Sequence, residues 1–235
     1  MVSGTLYGVG VGPGDPELVT RKAWRLIERA RVIAYPAPDS GRSFARSIVA
    51  GAIAADAREI PMIVPMRAER FPAQDVYAEA AHEIDRVLDH GEDVVVLCEG
   101  DPFFYGSFMY LFNKLSPRHR CEIVPGVSSV MAVAAALQRP ISGRNDVLTV
   151  IPATLDEEEL ERRITDAQAV AIMKLGRHMP KVRKILERLG LAGRTAYAAH
   201  ASLPTQELAT LADAPDDPPY FSMLLLYKGN DPWLS

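Results

Sequence analysis

The sequence predicts an α/β protein of two αβα-type domains, the first built on a mostly parallel sheet and the second on a mixed sheet. Three observations carry that expectation. Through residues 1–140, short apolar runs alternate with helical periodicities, the pattern of parallel strands joined by right-handed crossovers. One of those runs, Val94-Val95-Val96-Leu97-Cys98, is apolar at every position, as in a strand buried on both faces. Past a cluster of Pro140, Ser142, Gly143 and Asn145, residues 141–235 end in three strand-like runs with little helix between them, which favours antiparallel pairing.

Taken in order, the first strand covers residues 5–11 and stops at Gly12-Pro13-Gly14-Asp15-Pro16, a turn that no regular element tolerates. Helical spacing follows over 18–29, with Pro16 and Glu17 suited to its first turn. A strand over 32–35 ends at Pro36, a helix covers 43–53, and a short strand over 59–64 is interrupted by Pro61. Val76, Ala80, Ile84 and Val87 recur at helical spacing through 73–88, and His90-Gly91 stops that helix. The all-apolar strand comes next, then a helix over 103–115, a strand over 121–124 and a buried, Ala-rich helix over 130–137. In the second half, strands are expected over 147–151, 169–173, 195–200, 207–211 and 220–227. Helices cover 156–164, acidic at its start and basic toward its end as its dipole favours, and 179–189.

A chain of 235 residues is long enough to bury a proper core, and its net charge of −4 shows no basic excess of the kind nucleic acid requires. No apolar run reaches membrane-spanning length and the first residues lack the pattern of a leader, so a cytoplasmic protein is expected. Cys98 and Cys121 sit in apolar runs as small buried hydrophobes. The five histidines show no metal-ligand spacing with them, so no metal is expected.

The chemistry concentrates in three turns. Gly12-Pro13-Gly14-Asp15, Glu99-Gly100-Asp101-Pro102 and Pro125-Gly126-Val127-Ser128-Ser129 each follow a predicted strand of the first sheet. In a parallel sheet they fall on the edge where ligands bind. The glycines at 8, 10, 12 and 14 have neither the dinucleotide spacing nor a following Lys-Ser or Lys-Thr, but they suit a flat ligand approaching the backbone. The carboxylates disfavour a phosphate ligand and favour a cationic or hydroxyl-rich one, such as an ammonium group or a ribose. The plainer alternative for Asp101 is a cap on a helix starting near Phe103.

The runs Gly8-Val9-Gly10-Val11-Gly12-Pro13-Gly14-Asp15-Pro16-Glu17 with Leu18 to Ala23, Cys98-Glu99-Gly100-Asp101-Pro102-Phe103-Phe104-Tyr105-Gly106-Ser107 with Phe108 to Leu111, and Val124-Pro125-Gly126-Val127-Ser128-Ser129 carry a resemblance. In order along the chain, they resemble the signatures of the tetrapyrrole methyltransferases, which use S-adenosylmethionine and release S-adenosylhomocysteine. The resemblance implies a two-domain αβ fold, a cofactor cleft between the domains and a homodimer. It places cofactor contacts at Pro13, Glu99, Gly100, Asp101, Phe104, Ser128 and Ser129, and in the second domain at Met173, Ala201, Ser222 and Met223. Where family members often carry Arg-Ala-Thr or Arg-Ala-Ser, this chain has His200-Ala201-Ser202.

The form of the second signature is most similar to that of the members acting at carbon 20 of precorrin-2 in cobalamin biosynthesis, and tips the expected substrate toward the metal-free compound. Such a polycarboxylate needs basic contacts. Arg42, Arg46, Arg139 and Arg144 are the expected ones, with Asp15 grouped among the substrate contacts and Arg21, Lys22, Arg67, Arg70, Lys174 and Arg177 as further basic residues in or near loops and helix starts. A reactive sulfonium and an electron-rich carbon leave the protein mainly to align the two and exclude water. Removal of the carbon-20 proton needs an acceptor, for which Glu99, Asp101, Tyr105 and His200 are candidates, each with a structural alternative as cap, ribose ligand or core residue. Two other readings share these loops: a sister methyltransferase acting on another tetrapyrrole, cobalt-precorrin-2 included, or on the diphthamide precursor, and a non-catalytic protein that binds adenosyl compounds.

Overall fold

Residues 3–39, 41–64 and 71–229 are described by the structure, a computed structural model, and the chain divides into two compact units, residues 1–128 and 129–235. Arg67 and Arg70 lie outside the described residues.

The first unit is organised around its all-apolar strand. Strands β1 (Thr5–Gly10), β2 (Val32–Pro38), β3 (Arg58–Val64), β4 (Val94–Cys98) and β5 (Arg120–Val124) form one sheet in the order β3-β2-β4-β1-β5, and every pairing is parallel. The two-residue period of a strand explains why β4 carries no polar residue. Val94, Val96 and Cys98 enter a core with α3 (Phe71–Asp89) and α4 (Phe108–Leu115), while Val95 and Leu97 enter a second core with α1 (Arg21–Arg29) and α2 (Phe44–Ile48). Each fully buried side chain of this kind stabilises the fold by about 1.5–3 kcal/mol. With all strands parallel, the loops after β4, β1 and β5 come out side by side on one edge.

The second unit holds β6 (Leu148–Pro152), β7 (Ala169–Met173), β8 (Thr195–Ala199), β9 (Glu207–Thr210) and β10 (Ser222–Tyr227) in the order β6-β7-β10-β8-β9. β6 and β7 are parallel and the other pairs antiparallel, so the sheet is mixed as expected. On one face α6 (Glu157–Asp166) and α7 (Met179–Arg188) contribute Leu160, Ile164, Val182 and Ile185 to the core. On the other face α5 (Ser129–Leu137) sets Val130 and Val133 against Ala171, Ala198, Met223 and Leu225. The sequence places α5 ahead of an expected boundary near residue 140, and its apolar face is what assigns it to the second sheet.

Four elements differ from the sequence expectation. The strand expected to stop before Pro36 runs to Pro38, because β2 pairs with β4 only at Ile33 and Ala34 and its later prolines interrupt no ladder on that side. The helix expected over 18–29 is a 3-10 turn, Pro16–Leu18, followed by α1, whose cap is Thr20 accepting from the N–H of Ala23 at 3.2 Å. The helix expected over 43–53 is only the five-residue α2, closed by a turn at Gly51. The helix expected from Phe103 begins instead at Phe108.

Candidate functional site

The loops after β1, β4 and β5 meet backbone against backbone. Gly12 and Gly100 form an antiparallel bridge: the N–H of Gly100 donates to the Gly12 carbonyl at 2.8 Å, and that of Gly12 to the Gly100 carbonyl at 3.2 Å. Both adopt left-handed backbone, with φ of 78° and 63°, which only glycine accepts without strain. A Cβ on Gly126 would stand 2.0 Å from the Gly100 carbonyl oxygen, and one on Gly10 would stand 2.6 Å from that oxygen and from the Gly126 nitrogen. The glycines therefore serve loop-on-loop packing as well as any ligand.

Asp101 ties this junction together. Its Oδ2 accepts from the N–H of Gly126 at 3.1 Å and its Oδ1 from that of Phe103 at 2.9 Å. The expected cap at Phe103 is thus present but closes a turn rather than a helix. The helix is delayed to Phe108 because Tyr105 is left-handed, at φ 57°, and Gly106 lies so close to Pro102 that a Cβ would stand 2.5 Å from its carbonyl oxygen. Phe103, Phe104 and Tyr105 are left exposed, the last two in edge-to-face contact at 5.2 Å.

Glu99 stands at the end of β4, partly buried, with neither a hydrogen bond nor an ion pair among the described residues, and burial pushes its carboxyl above the usual carboxylate range. A desolvated acceptor on a sheet edge is suited to N–H or O–H groups from a ligand. Pro13 is half-buried between Gly12 and Gly14, Ser128 closes the third loop, and Ser129 begins α5. Asp15 caps the 3-10 turn, accepting from the N–H of Glu17 at 2.8 Å.

The residues assigned to the second unit also share an edge. β7 and β8 end where β10 begins, with Met223 opposite Met173 and Ser222 opposite Ala199. Met223, Ala201 and Ser222 are buried, and the Ser222 hydroxyl donates to the Pro219 carbonyl at 2.7 Å. Three non-glycine residues on this edge are left-handed: Lys174 at φ 59°, His200 at 50° and Ser202 at 72°. Such outliers cost about 1–3 kcal/mol each and cluster at functional sites. No glycine or asparagine marks these positions in the sequence, so reading it misses them.

The family described as "Tetrapyrrole (Corrin/Porphyrin) Methylases" matches residues 5–215. The chain belongs to this family. Cobalamin biosynthesis protein CobIJ of Mycobacterium bovis is 42% identical over 96% of this chain, which spans about half of that relative, 46% of its length. Precorrin-2 C(20)-methyltransferase of a Sinorhizobium species is 37% identical, with 95% of both chains covered. Two solved structures share the fold at 24% identity. Cobalt precorrin-4 methyltransferase CbiF has a TM-score of 0.74 over 95% of this chain and 94% of its own. Uroporphyrin-III C-methyl transferase from Thermus thermophilus, complexed with S-adenyl homocysteine, has a TM-score of 0.70 over 94% and 97%.

The basic residues of this chain are more dispersed than its glycine loops. Arg46 forms a bidentate pair with Glu59, at 2.6 and 2.7 Å, which holds the Glu59 carboxyl down at about 2. Arg42 is exposed ahead of α2, Arg139 just past α5, and Arg144 in the loop before β6. A further cluster, unmarked by sequence spacing, joins Asp85 and Asp89 of α3 to His119, with ligand-type atoms within 4.8 Å of one another. Its carboxylates already have partners inside the chain, because the Arg118 guanidinium meets both of them and His119 bonds to Asp85 and Ser3, each at 2.7 Å. Among the described residues no helix is long and apolar enough to cross a membrane.

Proposed function

We propose that this chain transfers a methyl group from S-adenosylmethionine to carbon 20 of precorrin-2, giving precorrin-3A in cobalamin biosynthesis. Family membership and the near full-length similarity to a protein named precorrin-2 C(20)-methyltransferase support the reaction. The observation that carries the cofactor assignment is the Glu99 carboxylate, unpartnered among the described residues, beside the Gly12, Gly100 and Gly126 junction. It offers desolvated acceptor oxygens next to backbone that a flat ligand can approach.

The donor set fits an adenosyl amino acid, whose ribose hydroxyls and ammonium group need acceptors and whose sulfonium, when bound, supplies an electrophilic methyl group. Glu99, Gly100 and Asp101 are the proposed polar contacts, with Pro13, Phe104, Ser128 and Ser129 around them and Met173, Ala201, Ser222 and Met223 contributed by the second unit. Asp101 acts chiefly by holding the loop, since its two oxygens are already engaged by Gly126 and Phe103. Glu99, Tyr105 and His200 are the proposed candidates for accepting the carbon-20 proton. Arg42, Arg46, Arg139 and Arg144, with Asp15, are the proposed substrate contacts. A cytoplasmic homodimer completes the proposal.

Incubation with S-adenosylmethionine and precorrin-2, beside cobalt-precorrin-2, tests the reading. One added methyl group, located at carbon 20 by NMR, supports it. Methylation at another carbon makes the chain a sister enzyme, and S-adenosylhomocysteine binding without transfer to any tetrapyrrole makes it a binding protein.

A further inference from the structure

Strands β8 and β9 form a hairpin whose last pair is Ala199 with Glu207, and the connection between them, residues 200–206, carries His200 and Ala201 of the proposed site. It folds as two consecutive turns: the N–H of Leu203 donates to the His200 carbonyl at 2.9 Å, and that of Gln206 to the Leu203 carbonyl at 3.0 Å. The first turn runs against its own sequence. Ser202, its third residue, lies at φ 72°, where a turn ordinarily takes Gly or Asn, and His200, its first, lies at φ 50°. Residues with a Cβ stay in this region only where surrounding contacts hold them there.

The backbone N–H groups of the two residues show what holds them. That of His200 donates to the Phe221 carbonyl at 2.8 Å, one residue ahead of β10, so backbone ties the entry of the turn to the sheet. That of Ser202 donates to Oε1 of Gln206 at 3.0 Å. Here a side chain does the holding, and it comes from the residue next to β9, where the ladder fixes the chain again. Between the two tethers lies Ala201, 9% exposed and in one apolar cluster with Met223, a second residue of the proposed site. We propose that Gln206 is a positioning residue: through its Oε1 it holds the left-handed turn of residues 200–203 in the shape that presents Ala201 to the cofactor. This proposal rests on reading the Ala201 and Met223 edge as part of the cofactor site.

The test measures S-adenosylhomocysteine binding by calorimetry and the melting temperature on the full chain. Gln206→Met keeps the length of the side chain and loses the acceptor, while Gln206→Glu keeps an acceptor oxygen. Gln206→Met is expected to weaken binding about three- to tenfold, the loss of one hydrogen bond, with little change in melting temperature because the side chain is exposed, and Gln206→Glu to bind as wild type does. Ser202→Gly removes the cost of the left-handed φ, so adding Gln206→Met to it should weaken binding less than the same change does in wild type. If Gln206→Met binds within twofold of wild type, if Gln206→Glu binds as weakly as Gln206→Met, or if Ser202→Gly gives no relief, the positioning role is overturned while the cofactor reading stands. A wild-type chain that binds no S-adenosylhomocysteine overturns both readings.

Discussion

Asp101 accepts a hydrogen bond from the backbone N–H of Gly126 at 3.1 Å, so a side chain after β4 holds the loop after β5 across the intervening strand β1. Its second oxygen holds Phe103. Asp101→Ala frees two backbone donors at once and is expected to cost about 1–3 kcal/mol in denaturant unfolding and to weaken S-adenosylhomocysteine binding with it. Asp101→Asn keeps one acceptor oxygen and should fall between. An Asp101→Ala variant with normal cofactor affinity and no turnover would return Asp101 to a catalytic role.

The packing at this junction makes a sharper prediction for glycine. Gly126→Ala brings a methyl group to 2.0 Å from the Gly100 carbonyl, and backbone on both sides cannot give way, so a loss of several kcal/mol, more than ~3, is expected. Gly51→Ala is the control: nothing lies within 4 Å of its Cβ and its melting temperature should match or slightly exceed that of wild type. Equal melting temperatures for the two variants would contradict the loop-on-loop packing.

The sheets were legible in the sequence because a strand buried on both faces leaves no polar residue, as β4 shows, and because the missing crossover helices after Thr195 announce antiparallel pairing. The turns were legible for a similar reason, since glycines and prolines persist where backbone must approach backbone. What misled was residue propensity read without the backbone surroundings of each segment. Apolar residues from Phe103 onward read as helix, but Gly106 is pressed against Pro102 and the helix waits until Phe108. Pro36 and Pro38 read as a strand end, although a strand unpaired on one side accommodates them. At the candidate site, Glu99 could be named from its position, but its lack of a partner among the described residues depends on residues far apart in the chain.

Glu99 should set stability against function. Burial raises its folded-state pKa above the ordinary value of 4.5, so as pH rises through the carboxylate range the unfolded chain releases this proton first and stability declines until the folded carboxyl has ionised as well. Glu99→Gln removes that decline. Its melting temperature should equal or exceed that of wild type at neutral pH, where the buried charge is most costly, and its profile should be flatter across the carboxylate range. The same variant is expected to lose about tenfold or more in S-adenosylhomocysteine affinity, as a charged acceptor is replaced. A variant that is both less stable and unchanged in binding would show that Glu99 has a structural partner and no ligand.

The Arg46–Glu59 pair predicts the opposite pH dependence. Arg46 holds the Glu59 pKa at about 2, below its ordinary 4.5, so the pair's stabilisation is complete above the ordinary value and is lost as pH falls from about 4.5 towards 2. The Arg46 side chain is 38% exposed, and solvent screening reduces the contribution to about 1 kcal/mol. Glu59→Gln should therefore lower stability at pH 7 by about that amount and remove this part of the acid-limb slope, measured by urea unfolding at a series of pH values. Releasing Arg46 from Glu59 also tests its place among the substrate contacts. If its guanidinium is needed only for the pair, Arg46→Ala should reproduce the stability loss of Glu59→Gln and leave the KM for precorrin-2 unchanged, whereas a rise in KM seen with Arg46→Ala alone would assign the arginine to the substrate.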